Sequence, residues 1–145
     1  MSAQQAGVNG LGLPIELVVF DWDGTLIDST AALTDALRLA AQDLSLPVPS
    51  REKASHVIGM GLRDALDYAM PSLPPERLPA FVERYRHHFL VRDALLQPFE
   101  GMVELLDDLD ALGAPLAVAT GKSRAGLDRA LAQMGWRSLF IDTRC

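Results

Sequence analysis

The feature that most constrains this chain is a short apolar run that ends abruptly in two aspartates, Val18-Val19-Phe20-Asp21-Trp22-Asp23-Gly24-Thr25. Residues 15–20 are almost continuously apolar and rich in β-branched side chains, which predicts a strand buried in a parallel sheet. In α/β folds, polar groups at the carboxyl end of such a strand lie where ligands bind. Two carboxylates one residue apart repel each other, so they need a cation or a shared proton. The segment therefore indicates metal-assisted chemistry at Asp21 and Asp23.

The rest of the chain alternates between helical and strand patterns. Residues 30–97 read as helices alone, about four of them, separated by proline and glycine breaks. A second apolar strand over 115–119 ends in Thr120-Gly121-Lys122-Ser123, and Ser123 can cap the helix that follows. Leu139-Phe140-Ile141 is predicted to begin a third strand.

This order predicts an α/β fold: a Rossmann-like parallel sheet core of about three strands, with a helical-bundle cap inserted after the first strand. We expect a flexible tail over 1–13, a core formed by 14–29 and 98–145, and a cap over 30–97.

Composition narrows the function classes. The 145 residues are 49% hydrophobic and carry a net charge of −6 without a run of Lys or Arg, which argues against nucleic-acid binding. No apolar run is long enough for a membrane span, and the amino-terminal residues lack the pattern of a secretory signal. The single cysteine, Cys145, excludes a disulfide within the chain. We expect a soluble cytoplasmic protein, and its oligomeric state is open.

Residues 21–29 resemble motif I of the haloacid dehalogenase superfamily, whose phosphatases carry Asp-x-Asp-Gly-Thr-Leu-x-Asp-Ser, and every fixed position is matched. The helical block between the first two strands is similar to the cap of the phosphoglycolate phosphatase-like subfamily. The resemblance covers nearly everything after Leu13.

The resemblance implies a Mg²⁺-dependent phosphomonoester hydrolase that acts on a small phosphorylated metabolite, with phosphoglycolate favoured. It makes Asp21 the nucleophile that forms an aspartyl-phosphate, and Asp23 the acid/base residue. It also implies that Mg²⁺ is held by the Asp21 carboxylate and by the backbone carbonyl of Asp23.

Four further residues are candidates for ligand contact. Thr120 occupies the position of the motif-II Ser or Thr, so its hydroxyl and the Gly121 amide are expected to bind phosphate; otherwise they only form a turn. Lys122 is a phosphate-binding candidate or a solvated charge at a helix start. Arg63, beside the loop Gly59-Met60-Gly61, either binds a substrate carboxylate or is a solvated loop arginine.

The family's motif-III lysine and its motif IV, which supplies further acidic groups, have no counterpart in this sequence. We therefore expect a chain truncated before these motifs, with an unpaired edge on the strand of Asp21 and uncertain activity by itself. A sugar-phosphate mutase with the same cap type and an inactive truncated remnant remain alternatives. A dehalogenase is disfavoured, because Asp23 would have no role in its reaction. A phosphoacceptor receiver domain is disfavoured, because it lacks the helical insertion.

Overall fold

The computed structural model describes residues 16–145. The predicted tail over 1–13 and the first two residues of the predicted core, 14 and 15, lie outside this range. The chain forms two compact units: residues 16–26 together with Pro98–Cys145 make the first, and Ile27–Gln97 makes the second. Within the described residues, no helix has both the length and the apolar character needed to cross a membrane.

The elements follow one another in the predicted order. They are β1 (Val18–Phe20), α1 (Thr30–Asp43), α2 (Arg51–His56), α3 (Leu62–Ala69), a 3-10 turn (Pro75–Arg77), α4 (Leu78–Asp93), α5 (Met102–Ala111), β2 (Leu116–Ala119), α6 (Arg124–Met134) and β3 (Asp142–Arg144).

The first unit is built on a parallel sheet with the strand order β1-β2-β3. Parallel strands need a crossover connection, and α6 supplies the one between β2 and β3. The buried side chains of this unit come from the sheet and from the two helices: Leu106 of α5, Leu116 and Val118 of β2, and Leu127 and Leu131 of α6. The predicted α/β fold, with a three-stranded parallel sheet and an inserted helical block, is confirmed.

The third strand begins later than predicted. Leu139-Phe140-Ile141 leads into the strand rather than beginning it, and the paired residues are Asp142–Arg144. These apolar residues connect α6 to the strand. Phe140 is buried in the core, and the Ile141 amide donates to the carbonyl of Leu116. The polar strand is held by ladder pairing and by Arg124, which donates to the hydroxyl and the carbonyl of Thr143 at 2.8 Å.

The first strand is less buried than predicted. Val19 is 55% exposed, and Val18 and Phe20 are half-buried. Among the described residues, β1 pairs with β2 alone, so it lies at an edge of the sheet. The prediction of a fully buried strand is therefore wrong for the face that carries Val19.

The second unit is a helical bundle, as the proline breaks and helical spacing predict. One cluster joins α1, α2, α3 and α4 through Leu37, Ala40, Ala41, Ala54, Val57, Ala65, Leu66, Ala69, Met70 and Phe81. The hydroxyl of Ser50 accepts a hydrogen bond from the Lys53 amide and so caps α2. Ser29 precedes α1 without a side-chain cap bond.

Candidate active site

The carboxyl ends of the three strands meet at one edge of the sheet. Phe20 is in register with Val118, and Val118 with Thr143. Asp21, the residue after β1, therefore lies level with Ala119, the last residue of β2, and Thr120 comes next in the chain. The Thr120 amide donates to the carbonyl of Arg144 at 3.0 Å, which fixes the residue after β2 against the end of β3.

A tight turn follows Asp21 and sets the direction of Asp23. The carbonyl of Trp22 accepts from the amides of Thr25 and Leu26 at 3.3 and 3.0 Å. Gly24 lies inside this turn with φ of 77°, a conformation that is energetically unfavourable for residues with a Cβ atom. Gly24 is therefore a backbone requirement of the turn as well as part of the motif.

The two aspartates lie on either side of a buried anchor. Trp22 is 1% exposed, whereas Asp21 and Asp23 are each only partly buried. The Trp22 amide donates to Oδ1 of Asp21 at 2.7 Å, which orients that carboxylate. Alternation along the chain thus buries the indole and leaves both carboxylates at the edge.

The loop after β2 reaches the second aspartate through a lysine. The Lys122 ammonium lies 3.5 Å from Oδ1 and 3.4 Å from Oδ2 of Asp23. The two side chains are 8% and 13% exposed. The Lys122 amide donates to Oγ1 of Thr120 at 3.2 Å, so one residue contacts both Asp23 and Thr120.

Five of the six predicted site residues belong to the first unit, in the loops that follow β1 and β2: Asp21, Asp23, Thr120, Gly121 and Lys122. Arg63 belongs to the second unit, where it is exposed in the first turn of α3. The interpretation of Lys122 as a solvated charge is wrong, because its side chain is buried against Asp23.

Two residues outside the predicted site support these loops. Trp136 packs its ring against Trp22, with centroids 5.9 Å apart and planes at 70°. Gly126 lies in α6 where a Cβ atom would come within 3.3 Å of Cγ of Lys122. Gly126 could have been found from the sequence, because a glycine inside a helical pattern often marks a place where another group packs close to the helix backbone.

The donor atoms at this edge suit a hard cation. Within residues 16–145, no group of three or more His, Cys, Asp or Glu side chains is arranged to hold a metal ion. Mg²⁺ does not require such a cage, since it keeps several waters and binds through one or two carboxylates and substrate phosphates. The Asp21 carboxylate and the Asp23 carbonyl, both oxygen donors, therefore fit Mg²⁺ chemistry.

The sequence model of a family described as haloacid dehalogenase-like hydrolase matches residues 18–143. The chain is 36% identical over 110 residues to a phosphoglycolate phosphatase from Caulobacter vibrioides, covering 72% of this chain and 46% of that relative. It is 35% identical over 126 residues to the tyrosine-protein kinase PtkA from Mycobacterium tuberculosis, covering 86% and 42%.

The fold is also similar to solved structures. A predicted phosphoglycolate phosphatase from Haemophilus somnus superposes with a TM-score of 0.76 at 26% sequence identity, covering 90% of this chain and 62% of that one. This chain spans about half the length of the two curated relatives, 46% and 42%.

Proposed function

The chain belongs to the haloacid dehalogenase-like hydrolase family, and from that membership we propose that it hydrolyses phosphate monoesters through an aspartyl-phosphate on Asp21. The observation that supports the proposal most is the meeting of two strand ends. Asp21 and Asp23 follow β1, Thr120 follows β2, and Lys122 joins the two loops. Carboxylates and phosphate-binding donors thus belong to one edge of one sheet.

The reaction divides between the two aspartates. A carboxylate oxygen of Asp21 attacks phosphorus, and the ester P–O bond breaks as the new bond forms. Asp23 donates a proton to the leaving oxygen, which departs as an alcohol. Asp23 then takes a proton from water as that water attacks the phosphoryl group, and inorganic phosphate and the Asp21 carboxylate are released.

Thr120 and Gly121 supply the donors for the phosphate. The Thr120 oxygen already accepts from the Lys122 amide, so the hydroxyl proton can be donated to a phosphate oxygen. The Gly121 amide lies in the same loop, ahead of α6, where backbone donors favour an anion. Lys122 was predicted with them, and its direct contact with phosphate remains a prediction.

Mg²⁺ is the metal that we propose, held by the Asp21 carboxylate and the Asp23 carbonyl. When bound, it supplies positive charge that offsets the repulsion between the phosphate and Asp21. The orientation of Asp21 comes from the chain itself, through the Trp22 amide.

We propose the helical block 30–97 as a substrate-selecting cap and Arg63 as the residue that binds a substrate carboxylate. Its exposed guanidinium can form a bidentate pair with such a group. Phosphoglycolate, a small metabolite that carries both a phosphate and a carboxylate, is then the favoured substrate. The cytoplasm is the compartment that we propose, because a lone cysteine suits a reducing environment.

Product analysis tests the proposal against the alternatives. The chain is incubated with Mg²⁺ and phosphoglycolate, a sugar 1-phosphate or a generic aryl phosphate, and the fate of the phosphoryl group is followed by ³¹P NMR. We expect the phosphoglycolate signal to be replaced by the signal of free phosphate. A sugar 6-phosphate formed from the sugar 1-phosphate would support the mutase alternative.

Two controls sharpen the result. Asp21→Asn must abolish phosphate release, whereas Asp107→Asn, at an exposed aspartate of α5, must leave it unchanged. No release from any of the three esters would contradict the proposed function and favour the inactive remnant. Because one relative is named a tyrosine-protein kinase, a tyrosine-containing peptide belongs in the same assay as a second acceptor.

A further inference from the structure

The ion pair between Lys122 and Asp23 is buried to an unusual degree. Their side chains are 8% and 13% exposed, and their positions in the chain are 99 residues apart. A buried charge is costly unless it is paired. The ammonium lies at nearly the same distance from both carboxylate oxygens, 3.5 and 3.4 Å, so it holds the whole group rather than one oxygen.

The backbone of Lys122 is fixed as well. Its amide donates to the hydroxyl oxygen of Thr120 two residues earlier, which closes a tight local turn. Ser123 then caps α6 by accepting from the Gly126 amide. The lysine side chain therefore projects from a hydrogen-bonded loop between the end of β2 and the start of α6.

The stem of Lys122 crosses α6 where that helix has no side chain. A Cβ atom added to Gly126 would lie 3.3 Å from Cγ and 3.5 Å from Cε of Lys122, and 3.1 Å from Oγ of Ser123. Glycine within a helix is destabilising relative to alanine. Room for the lysine stem is a physical reason for the glycine.

We propose that Lys122 is the positioning residue of Asp23: it holds the Asp23 carboxyl group in one orientation, from which the protonated form donates its proton to the leaving oxygen. This inference rests on the proposed function, since it assigns a part in that reaction. It differs from direct phosphate binding, because the ammonium acts through Asp23. If the Asp23 side chain transfers the proton, the backbone carbonyl of Asp23 is the group that would bind the metal.

Leaving-group dependence separates these roles. An alkyl phosphate needs a proton on its leaving oxygen, whereas p-nitrophenyl phosphate releases a stable anion and needs little help from an acid. The ratio kcat/KM reports the transfer to Asp21 and not the later attack of water. We therefore expect Lys122→Met to lower kcat/KM for the alkyl phosphate at least about tenfold more than kcat/KM for p-nitrophenyl phosphate. Asp23→Asn should show the same selectivity.

Two further variants keep the charge. Lys122→Arg should recover part of the selective loss, and Gly126→Ala, which displaces the stem, should reproduce it more weakly. Lys53→Met, at the exposed lysine of α2, is the matched control and should change neither substrate. An equal loss of kcat/KM on both substrates, whether from direct phosphate binding or from a general structural role, would overturn the inference.

A measurement without activity keeps the two proposals separable. The unfolding equilibria of wild type, Asp23→Asn, Lys122→Met and the double variant form a thermodynamic cycle. We expect the two replacements to be coupled by about tenfold or more in the unfolding constant. If the wild-type chain hydrolyses neither ester, the proposed function fails and this cycle alone decides the inference. Coupling below about twofold would then overturn it.

Discussion

The ring of Trp22 packs edge-on against the ring of Trp136, with their centroids 5.9 Å apart. Trp22 lies between Asp21 and Asp23 in the sequence, and Trp136 follows Gly135, which ends α6 with φ of 72°. Edge-to-face aromatic pairs add about 0.5–1.5 kcal/mol beyond the area that they bury. The segment that carries both aspartates is therefore anchored to the end of the helix that begins near Thr120.

The anchoring role of Trp136 is the first prediction. Trp136→Ala should lower the free energy of unfolding by about 3 kcal/mol, the lower end for such a truncation because the ring is half-buried. Trp136→Phe keeps an aromatic contact and should cost about 1 kcal/mol or less. Chemical denaturation followed by circular dichroism measures both. Equal losses for the two variants would show that the ring contact contributes nothing specific.

The second prediction concerns the acid/base residue. Asp23→Asn should slow the hydrolysis of an alkyl phosphate by about 10²-fold or more, because an amide cannot exchange a proton with the leaving oxygen. Phosphate release is the measured step. A change below about threefold would remove Asp23 from the mechanism, provided that circular dichroism shows a folded variant.

The third prediction concerns substrate selection by the helical unit. Arg63→Ala should reduce kcat/KM for phosphoglycolate by about tenfold, as expected from the loss of a charge-assisted pair, and change the value for p-nitrophenyl phosphate by less than about twofold. Arg86→Ala, at an exposed arginine of α4, is the matched control. Equal effects of Arg63→Ala on both substrates would dismiss Arg63 as a carboxylate-binding residue.

The fourth prediction concerns acid stability. Oδ2 of Asp43 accepts from His88 at 2.8 Å and from Arg84 at 2.7 Å. The His88 hydrogen bond and then the Arg84 hydrogen bond lower the pKa of Asp43 below its ordinary value of 3.8. The stabilisation is therefore complete above that value, and it is lost as the pH falls through the lowered pKa.

Thermal unfolding of wild type and Asp43→Asn checks this sign. The wild type should have the higher melting temperature near neutral pH, and the difference should disappear as the pH falls well below 3.8. Added salt should reduce the difference, because the three side chains are partly exposed. A difference that grows on acidification would contradict this account of Asp43.

Local chemistry allowed most of the fold to be predicted. Ser50 and Ser123 cap α2 and α6 through their hydroxyls, and Gly135 ends α6 in the left-handed conformation, all of which adjacent residues specify. The start of β3 could not be predicted in this way. Its residues Asp142–Arg144 lack an apolar pattern, and they form a strand because β2 and Arg124 supply their partners.

In the candidate site, too, some features follow from neighbouring residues and others depend on tertiary packing. The sequence predicts that Asp21 and Thr120 follow neighbouring strands, because motif order and strand spacing are local properties. The contact between Lys122 and Asp23 joins residues 99 positions apart, and the pair of His88 and Asp43 joins residues 45 positions apart. Such contacts depend on how the elements pack, which no local pattern encodes.

Asp21 is the residue that carries the phosphoryl group in the proposed reaction. The direct measurement is chemical trapping: the chain is mixed with Mg²⁺ and substrate, quenched in acid and reduced with borohydride, which converts an aspartyl-phosphate into homoserine. Peptide mass spectrometry should find homoserine in place of Asp21 in the wild type and none in Asp21→Asn, which should also release no phosphate. Phosphate release by Asp21→Asn at the wild-type rate, or trapping at another aspartate, would contradict the account.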